Sequence, residues 1–272
     1  MQTVTSADGT TIAYDQVGEG TAGTVILIGG AFSFRKFKSM VELAQALADD
    51  FDLTVLNYDR RGRGDSTDSP GVYDAANEIA DIAALVEAAG GKAALFGWSS
   101  GAALALLAAK QVPGVTEVVA FEPPFVVDTK HHVPPKDLER KLHPMIAEGK
   151  RNKTVRYYMT KAMGMPALMV AVMRLTPFWK DLAATSNSTA HDWAVMKPYM
   201  RGQQLVPADW NDITVPVLVL AGERTAPLLI KGSKAAAEVV PDAEFAELPG
   251  VSHNPKISLL APAVGEFLTR AR

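Results

Sequence analysis

The segment that most constrains this chain spans residues 93–109, where an apolar run leads into Gly97-Trp98-Ser99-Ser100-Gly101 and then into a run of Ala and Leu. The first run is typical of a buried strand and the second of a helix. A serine on a tight turn between such elements has a strained backbone, so the residues two before and two after it must lack a Cβ. Gly97 and Gly101 meet this requirement. The spacing predicts a strand, a sharp turn that exposes the hydroxyl of Ser99, and a helix.

Strand-like and helix-like patterns alternate on both sides of this turn. An alternating strand pattern covers residues 11–17, short apolar runs of buried strands cover 24–28, 53–58, 115–121 and 215–221, and a further strand is predicted at 243–248. Helical periodicity covers 40–47, 79–86, 228–240 and 257–272. This alternation predicts an α/β fold with a mostly parallel, doubly wound sheet, whose ligand site lies at the carboxyl ends of the strands.

The alternation stops between about residue 127 and residue 211. Helix-like pieces rich in Met, Tyr and Trp are broken there by Pro and Gly, and no buried strand pattern is present. We interpret residues 1–126 and 212–272 as one core, and residues 127–211 as a helical lid inserted into it.

Composition narrows the classes of partner. A chain of 272 residues that is 48% hydrophobic can bury a large core. Its 27 basic and 30 acidic residues are spread out, which argues against nucleic acid as a partner. We expect no membrane partner, because there is neither a signal-peptide pattern at the start nor an apolar run long enough to span a bilayer. The absence of cysteine fits a reducing cytoplasm, where we expect the protein to act on small molecules. Its oligomeric state stays open.

Three further motifs follow strand-like runs. They are Gly29-Gly30-Ala31-Phe32, Tyr58-Asp59-Arg60-Arg61-Gly62-Arg63-Gly64-Asp65-Ser66 and Gly250-Val251-Ser252-His253. With the serine turn, a nucleophile elbow, they make the chain resemble the α/β-hydrolase superfamily over essentially its whole length. The resemblance implies an oxyanion loop at the first motif, an Asp-x-Arg-Gly-type turn at the second and a catalytic histidine at the third.

Chemistry gives the reason for a histidine. A serine hydroxyl is a poor nucleophile at neutral pH, so a neutral imidazole must take its proton and later return it. With Ser99 as the nucleophile, His253 is the predicted base. The other histidines fall in the proposed lid: His131, His132, His143 and His191.

The acid that orients this histidine departs from the superfamily's common pattern. Thr225 stands roughly where most members carry an aspartate, and threonine cannot supply the negative charge. Glu122, directly after the strand-like run 115–121, resembles the position used by certain haloalkane dehalogenases and mycotoxin-lactone hydrolases. We predict Glu122 as the acid and keep Glu223, two residues beyond run 215–221, as the alternative.

The resemblance also implies an oxyanion hole made of two backbone N–H groups. Ser100 supplies one by its place after the nucleophile, and Ala31 or Phe32 supplies the other. Residues predicted to line the substrate pocket are Gly30, Trp98, Trp179 and Trp193, although Trp98 is equally suited to core packing. We interpret the charged residues of the 59–65 turn as structural ion pairs. No metal and no cofactor is predicted, because the His and Asp residues at 128–143 match no standard ligand spacing.

These features predict a cofactor-independent serine hydrolase that cleaves a small-molecule carboxylic ester or lactone, largely apolar, through an acyl-enzyme. Ser99 attacks, His253 moves the proton and Glu122 orients the imidazole. Two alternatives remain. The same residues suit transfer of the acyl group to peroxide, an alcohol or an amine, or cleavage of a carbon–carbon bond. A member of the fold that binds a ligand without turnover carries the same pocket.

Overall fold

The computed structural model describes residues 1–270 and has an eight-stranded sheet at its centre. Its strands are β1 (Gln2–Thr5), β2 (Thr11–Val17), β3 (Gly23–Ile28), β4 (Leu53–Tyr58), β5 (Ala93–Trp98), β6 (Val115–Phe121), β7 (Val217–Gly222) and β8 (Ala243–Leu248). Their order across the sheet is β1-β2-β4-β3-β5-β6-β7-β8. The pairs β1–β2 and β2–β4 are antiparallel, and all other pairs are parallel. The predicted α/β class with a mostly parallel sheet is therefore confirmed.

Helices cover both faces of the sheet. The α-helices of residues 1–270 are α1 (Lys38–Phe51), α2 (Ala75–Ala88), α3 (Ser100–Ala109), α4 (Leu138–Ala147), α5 (Arg151–Tyr157), α6 (Ala167–Met173), α7 (Trp179–Ala184), α8 (Thr189–Met196), α9 (Pro227–Val239) and α10 (Ile257–Thr269). One core contains buried residues of α1 and α10, and the other contains those of α2, α3 and α9. This is the doubly wound arrangement that the alternating pattern predicts.

The ends of the chain differ slightly from the sequence prediction. β1 was not predicted, because three of its four residues are exposed and it has no buried apolar face that a pattern can reveal. The closing helix, predicted to run to residue 272, ends at Thr269, and residues 271–272 lie outside the described part of the chain. Within residues 1–270, no helix combines the length and the apolar content that crossing a membrane requires.

Helices α4 to α8 lie between β6 and β7. A π-helical turn (Tyr158–Ala162) follows α5, a 3₁₀ turn (Ser186–Ser188) precedes α8, and two more 3₁₀ turns, Lys197–Tyr199 and Pro207–Trp210, lie between α8 and β7. We call residues 127–211 the inserted segment. Its buried side chains, among them Leu142, Val155 and Trp193, belong to the same core as α3. The inserted segment thus packs on the same face of the sheet as α3.

Candidate active site

Ser99 occupies a sharp turn between β5 and α3. Its φ of 56° and ψ of −120° lie outside the regions that most residues adopt. Neighbouring backbone explains the two glycines of the motif, because a Cβ on Gly97 would lie 2.4 Å from the carbonyl oxygen of Gly101, and one on Gly101 would lie 2.1 Å from that of Ile28. The Ser99 N–H donates to the carbonyl of Phe121 at 2.9 Å, which ties the turn to β6. The strain is held in place by packing on both sides.

Glu122 follows β6 and is fully buried, with a φ of 53°. Its carboxylate contacts Nδ1 of His253. The other Glu122 oxygen accepts the N–H of Gly222 at 2.8 Å, and Thr225 donates its hydroxyl to the oxygen that contacts the imidazole, at 3.0 Å. Thr225 and the imidazole of His253 thus contact the same carboxylate oxygen. An anion with three such partners orients the imidazole firmly.

Glu223, the alternative acid, faces elsewhere. It is exposed and accepts the N–H of Gly250 at 2.7 Å, within the loop that leads to His253. The structure therefore places Glu122 against the imidazole and gives Glu223 a role in the loop before it.

His253 is held by its backbone as well as by its ring. Trp98 donates its indole N–H to the carbonyl of His253 at 3.2 Å, and the ring of Phe121 stacks with the imidazole at 6.5 Å between centroids. Ser99 and His253 border the same cavity, although no hydrogen bond joins them in the described part of the chain. Catalytic hydrogen bonds are commonly long before substrate binds and shorten in the complex.

The loop after β3 lies directly against the elbow. A turn closed by the N–H of Ser33 on the carbonyl of Gly30, at 3.1 Å, brings Ala31 and Phe32 to the cavity beside Ser99. A Cβ on Gly30 would lie 3.0 Å from the Cβ of Ser99, so a glycine is needed for this approach. Phe32 has a φ of 63°. Ser100, the residue after Ser99, is the first residue of α3, so the N-terminus of this helix, with its free backbone N–H groups, also lies next to Ser99.

Buried ion pairs hold this loop and the elbow. Arg63 donates to the carbonyl of Gly30 at 2.6 Å and to that of Ser33 at 3.1 Å. Arg60 donates to Ser100 Oγ at 3.3 Å and pairs with Glu78 of α2. Both arginines are at most 1% exposed at the side chain. The charged residues of the 59–65 turn thus form structural ion pairs, as the sequence suggests. They also contact both the loop after β3 and the start of α3.

Asp192 of α8 joins this network from the inserted segment. It accepts hydrogen bonds from Arg60 and Arg63, each at 2.8 Å, and from Ser100 Oγ at 2.7 Å. Burial by itself raises the pKa of Asp192, but the two guanidinium groups outweigh it and hold that pKa below its usual value. Sequence reasoning missed this residue. An Asp in the middle of a helical stretch is usually predicted to lie on the surface. Its neighbours in the sequence do not indicate that two arginines more than 120 residues away contact it.

The cavity at Ser99 has a volume of about 220 Å³ and walls that are mainly apolar. No Asp, Glu, Lys or Arg of the described chain lines it. Its apolar side chains beyond the elbow and the β3 loop are Phe37, Met40, Met159, Met163, Met165, Met173, Phe178 and Leu182, and its polar ones include Ser33, Ser39 and Asn254.

Two of the four residues predicted to line the pocket do so, and two do not. Gly30 and Trp98 border the cavity. Trp179 instead donates its indole N–H to Asn152 at 2.6 Å and borders a groove on the outer surface. Trp193 is 5% exposed and packs within the core. The prediction for these two residues is wrong because the large rings serve packing between helices, while methionines and Phe178 face the cavity.

Comparisons with known proteins concern the family and the fold. A family model described as "Alpha/beta hydrolase family" matches residues 25–264. The chain is 37% identical to an alpha/beta hydrolase from Sphaerobacter thermophilus, with a TM-score of 0.87 over 98% of this chain and 100% of that one. No curated protein matches the chain.

More distant solved structures show the same fold. An esterase from Rhodococcus is 22% identical, with a TM-score of 0.65 and 98% of each chain covered. An enol-lactonase from Burkholderia xenovorans is 19% identical, with a TM-score of 0.65 over 99% of this chain and 100% of that one. The family match over most of the chain and the 37% identical relative lead to one conclusion: this chain belongs to the alpha/beta hydrolase family.

Proposed function

We propose that this protein is a serine hydrolase that cleaves a carboxylic ester or lactone of a small, largely apolar molecule through an acyl-enzyme. The observation that carries the proposal is the meeting of three groups from distant parts of the chain. Ser99 and His253 border one cavity, and the buried carboxylate of Glu122 contacts Nδ1 of that histidine. A hydroxyl, an imidazole and a carboxylate arranged in this order are the groups of a Ser-His-acid catalytic triad, in which the imidazole moves the proton of the hydroxyl.

In the proposed acylation step, Ser99 Oγ attacks the carbonyl carbon while Nε2 of His253 takes the hydroxyl proton. Glu122 keeps the proton of Nδ1 facing its carboxylate and stabilises the imidazolium. The N–H of Ser100 and an amide of Ala31 or Phe32 donate to the oxyanion. Collapse of the intermediate expels the alkoxide, which takes its proton from His253 and leaves as the alcohol.

In the proposed deacylation step, His253 takes a proton from water, and the resulting hydroxide attacks the acyl carbon. The carbon–oxygen bond to Ser99 breaks, the proton returns to Ser99 Oγ, and the acid is released. Nothing in this step requires that the acceptor be water. Peroxide or an alcohol at the same place would give a peracid or a new ester. Product analysis in the experiment below determines which acceptor the protein uses.

The cavity supports an uncharged substrate. A charged group that entered it would lose its hydration without gaining a charged partner from the walls. The volume of about 220 Å³ favours a small acyl or alcohol group. An esterase and an enol-lactonase are among the proteins that share this fold, which is in keeping with an ester or lactone as substrate.

The proposal is tested with short p-nitrophenyl esters and a fluorophosphonate. We expect a burst of p-nitrophenol close to one equivalent per protein, steady turnover, and a phosphonate adduct that mass spectrometry locates on Ser99. Ser99→Ala is expected to lose the burst, the turnover and the adduct. Ser258→Ala, which removes an exposed hydroxyl on α10, serves as the matched control and should behave as wild type.

One result would contradict the proposal. If folded wild-type protein shows neither a burst nor an adduct, the protein is not a serine hydrolase, and a ligand-binding member of the family is favoured instead. If turnover appears, product analysis with added peroxide or alcohol tells hydrolysis from acyl transfer.

A further inference from the structure

The inserted segment exposes an unusual concentration of apolar side chains. Six of the eleven exposed large apolar residues of the described chain lie between residues 163 and 178: Met163, Leu168, Met169, Val172, Leu175 and Phe178. Of the seven residues of α6, only Val170 is buried. Leu168 is 78% exposed and Leu175 is 86% exposed. We call these six exposed side chains the α6 patch. Exposed apolar side chains concentrated in one segment in this way are more typical of an interaction site than of an ordinary surface.

Positive charge is concentrated in the segment that contains the α6 patch. Residues 150–180 contain seven basic residues and no acidic one, in a chain whose net charge is −3: Lys150, Arg151, Lys153, Arg156, Lys161, Arg174 and Lys180. All seven are exposed. Lys150 pairs with Glu148, and the other six form no ion pair with any acidic group of residues 1–270. Glu148 and Asp181 lie just outside this range.

The basic and apolar groups meet in one place. Lys153, Arg156 and Arg174 line a surface groove together with Leu175 and Ala171 of the α6 region. On the other side, Met163 and Phe178 of the α6 patch border the cavity that contains Ser99, as does Met173 of α6 itself. The patch therefore lies at the edge of the candidate active site, with cations along its outer side.

We propose that the α6 patch binds the surface of an anionic phospholipid bilayer. Leu168, Met169, Val172 and Leu175 enter the boundary between headgroups and acyl chains, while the surrounding lysines and arginines contact lipid phosphates. Exposed apolar side chains next to exposed lysines and arginines are typical of a surface that binds an anionic membrane. Bound in this way, the protein turns the opening of its cavity towards the lipid.

Two other occupants fit the patch less well. A second copy of the chain in a two-fold dimer would bring the same unpaired cations of both copies together, which disfavours that contact. An acidic protein satisfies the charges, but it needs a rigid apolar pocket for side chains that protrude as far as Leu168 and Leu175. A bilayer adapts its shape to them. Apolar ester substrates also partition into lipid. This last argument rests on the proposed function, whereas the proposal that the patch binds a bilayer does not depend on it.

This proposal replaces the sequence-based expectation of no membrane partner. That expectation considered only membrane spans and leader peptides. The folded chain adds an exposed apolar segment, the α6 patch, which is neither of these.

Binding is measured by flotation of the full-length protein with vesicles of phosphatidylcholine alone, or with about 30% phosphatidylglycerol, at salt of about 0.05 M and about 0.5 M. We expect binding to the anionic vesicles at low salt to exceed that to neutral vesicles by about tenfold or more, and to weaken at high salt. The double variant Leu168→Glu/Leu175→Glu should lose binding. The triple variant Lys153→Gln/Arg156→Gln/Arg174→Gln should weaken binding to anionic vesicles and leave neutral ones unaffected.

Matched controls use exposed positions far from α6 in sequence. Val72→Glu/Leu259→Glu removes two exposed apolar side chains, and Lys92→Gln/Lys136→Gln removes two exposed cations. Both should bind vesicles as wild type does. Circular dichroism and thermal unfolding show whether each variant is folded.

The proposal is overturned if wild type does not float with anionic vesicles, if it floats equally with neutral ones, or if Leu168→Glu/Leu175→Glu floats unchanged. A dimer that this variant dissociates, without vesicle binding, would assign the patch to a second copy and also overturn it. Ser99→Ala should bind vesicles as wild type does. Protein that floats but never hydrolyses an ester would therefore defeat the proposed function and leave this inference standing.

Discussion

At the scale of single residues, backbone strain marks the candidate site. Phe32, Ser99 and Glu122 have φ values of 63°, 56° and 53°, although none of them is glycine. The two other non-glycine residues with positive φ in the described chain are Asp52 and Asp242, a residue type that tolerates this conformation. Each of the three strained site residues follows a parallel strand, β3, β5 or β6. Strain of about 1–3 kcal/mol per residue persists only where the surrounding structure imposes it.

The two glutamates give a prediction at this scale. Glu122→Ala is expected to lower kcat for a p-nitrophenyl ester by about 10²- to 10⁴-fold, because the imidazole loses its orienting anion. Glu223→Ala also removes a carboxylate that accepts a backbone N–H, yet it should change kcat by less than about threefold. Steady-state kinetics on both variants provides the measurement.

Glu122→Ala also leaves the N–H of Gly222 without its acceptor, so the variant must be shown to fold. Circular dichroism and covalent labelling of Ser99 serve this purpose. A folded Glu122→Ala protein with nearly full turnover, or a Glu223→Ala protein with the large loss, would reverse the assignment.

At the scale of elements, α8 and α6 of the inserted segment differ sharply in how they are held. Six of the eight residues of α8 are buried, and its Asp192 reaches the arginines that contact the β3 loop and the elbow. α6 buries Val170 alone and has no comparable polar anchor. α8 therefore fixes the inserted segment to the core by polar contacts as well as by packing, whereas α6 presents most of its surface to solvent.

This difference predicts the effect of removing Asp192. Asp192→Ala leaves two buried guanidinium groups short of a partner, so we expect the free energy of unfolding to fall by about 3–5 kcal/mol. Asp137→Ala, at the start of α4, removes a more exposed carboxylate that pairs with Arg140 and Lys141, and should cost less than about 1 kcal/mol. Urea unfolding of both variants measures the difference. Equal, small losses would mean that Asp192 does not hold the inserted segment to the core.

At the scale of the whole molecule, the parallel sheet gathers distant residues at one edge. β3, β5, β6 and β7 lie side by side, so the loops that follow β3, β5 and β6 meet there. The histidine enters from the loop after β8, the last strand of the sheet. Beneath the site, Arg60 joins Glu78 of α2 to Asp192 of α8, which links the core helices to the inserted segment.

This link makes stability depend on pH. Burial raises the pKa of Glu78, but the charge of Arg60 outweighs it, and the pKa falls from 4.5 to about 2. Because the folded protein holds this carboxylate ionised, its contribution is complete above pH 4.5 and is lost as pH falls towards 2. Between about pH 5 and about pH 3, the advantage of wild type over Glu78→Gln should shrink by about 2 kcal/mol.

Urea unfolding of both proteins across that range tests the expectation. Comparing the two removes the contribution of all other acids, which they share. A difference that stays constant with pH would show that Glu78 has an ordinary pKa in the folded state.

Local patterns in the sequence were enough for the fold class and for much of the elbow. Buried runs such as 24–28 and 53–58 became strands, because their apolar residues have no other way to leave water. Gly97 and Gly101 predicted the turn at Ser99, since the required close approach depends on residues a few positions apart. His253 and Glu122 were predicted from the resemblance to the α/β-hydrolase superfamily, and their places after strands supported the prediction, because the carboxyl ends of parallel strands share one edge.

Contacts between distant segments decided the rest. Both Glu122 and Glu223 follow strands, and only the folded chain shows that the first contacts His253 and the second holds the loop before it. Trp179 and Trp193 were predicted to line the pocket, but the orientation of α7 and α8 places their rings outside it. The network of Asp192 and the exposure of α6 were equally hidden. The burial of a side chain, and ion pairs between residues more than 100 positions apart, depend on how whole helices pack. A local sequence pattern does not determine that packing.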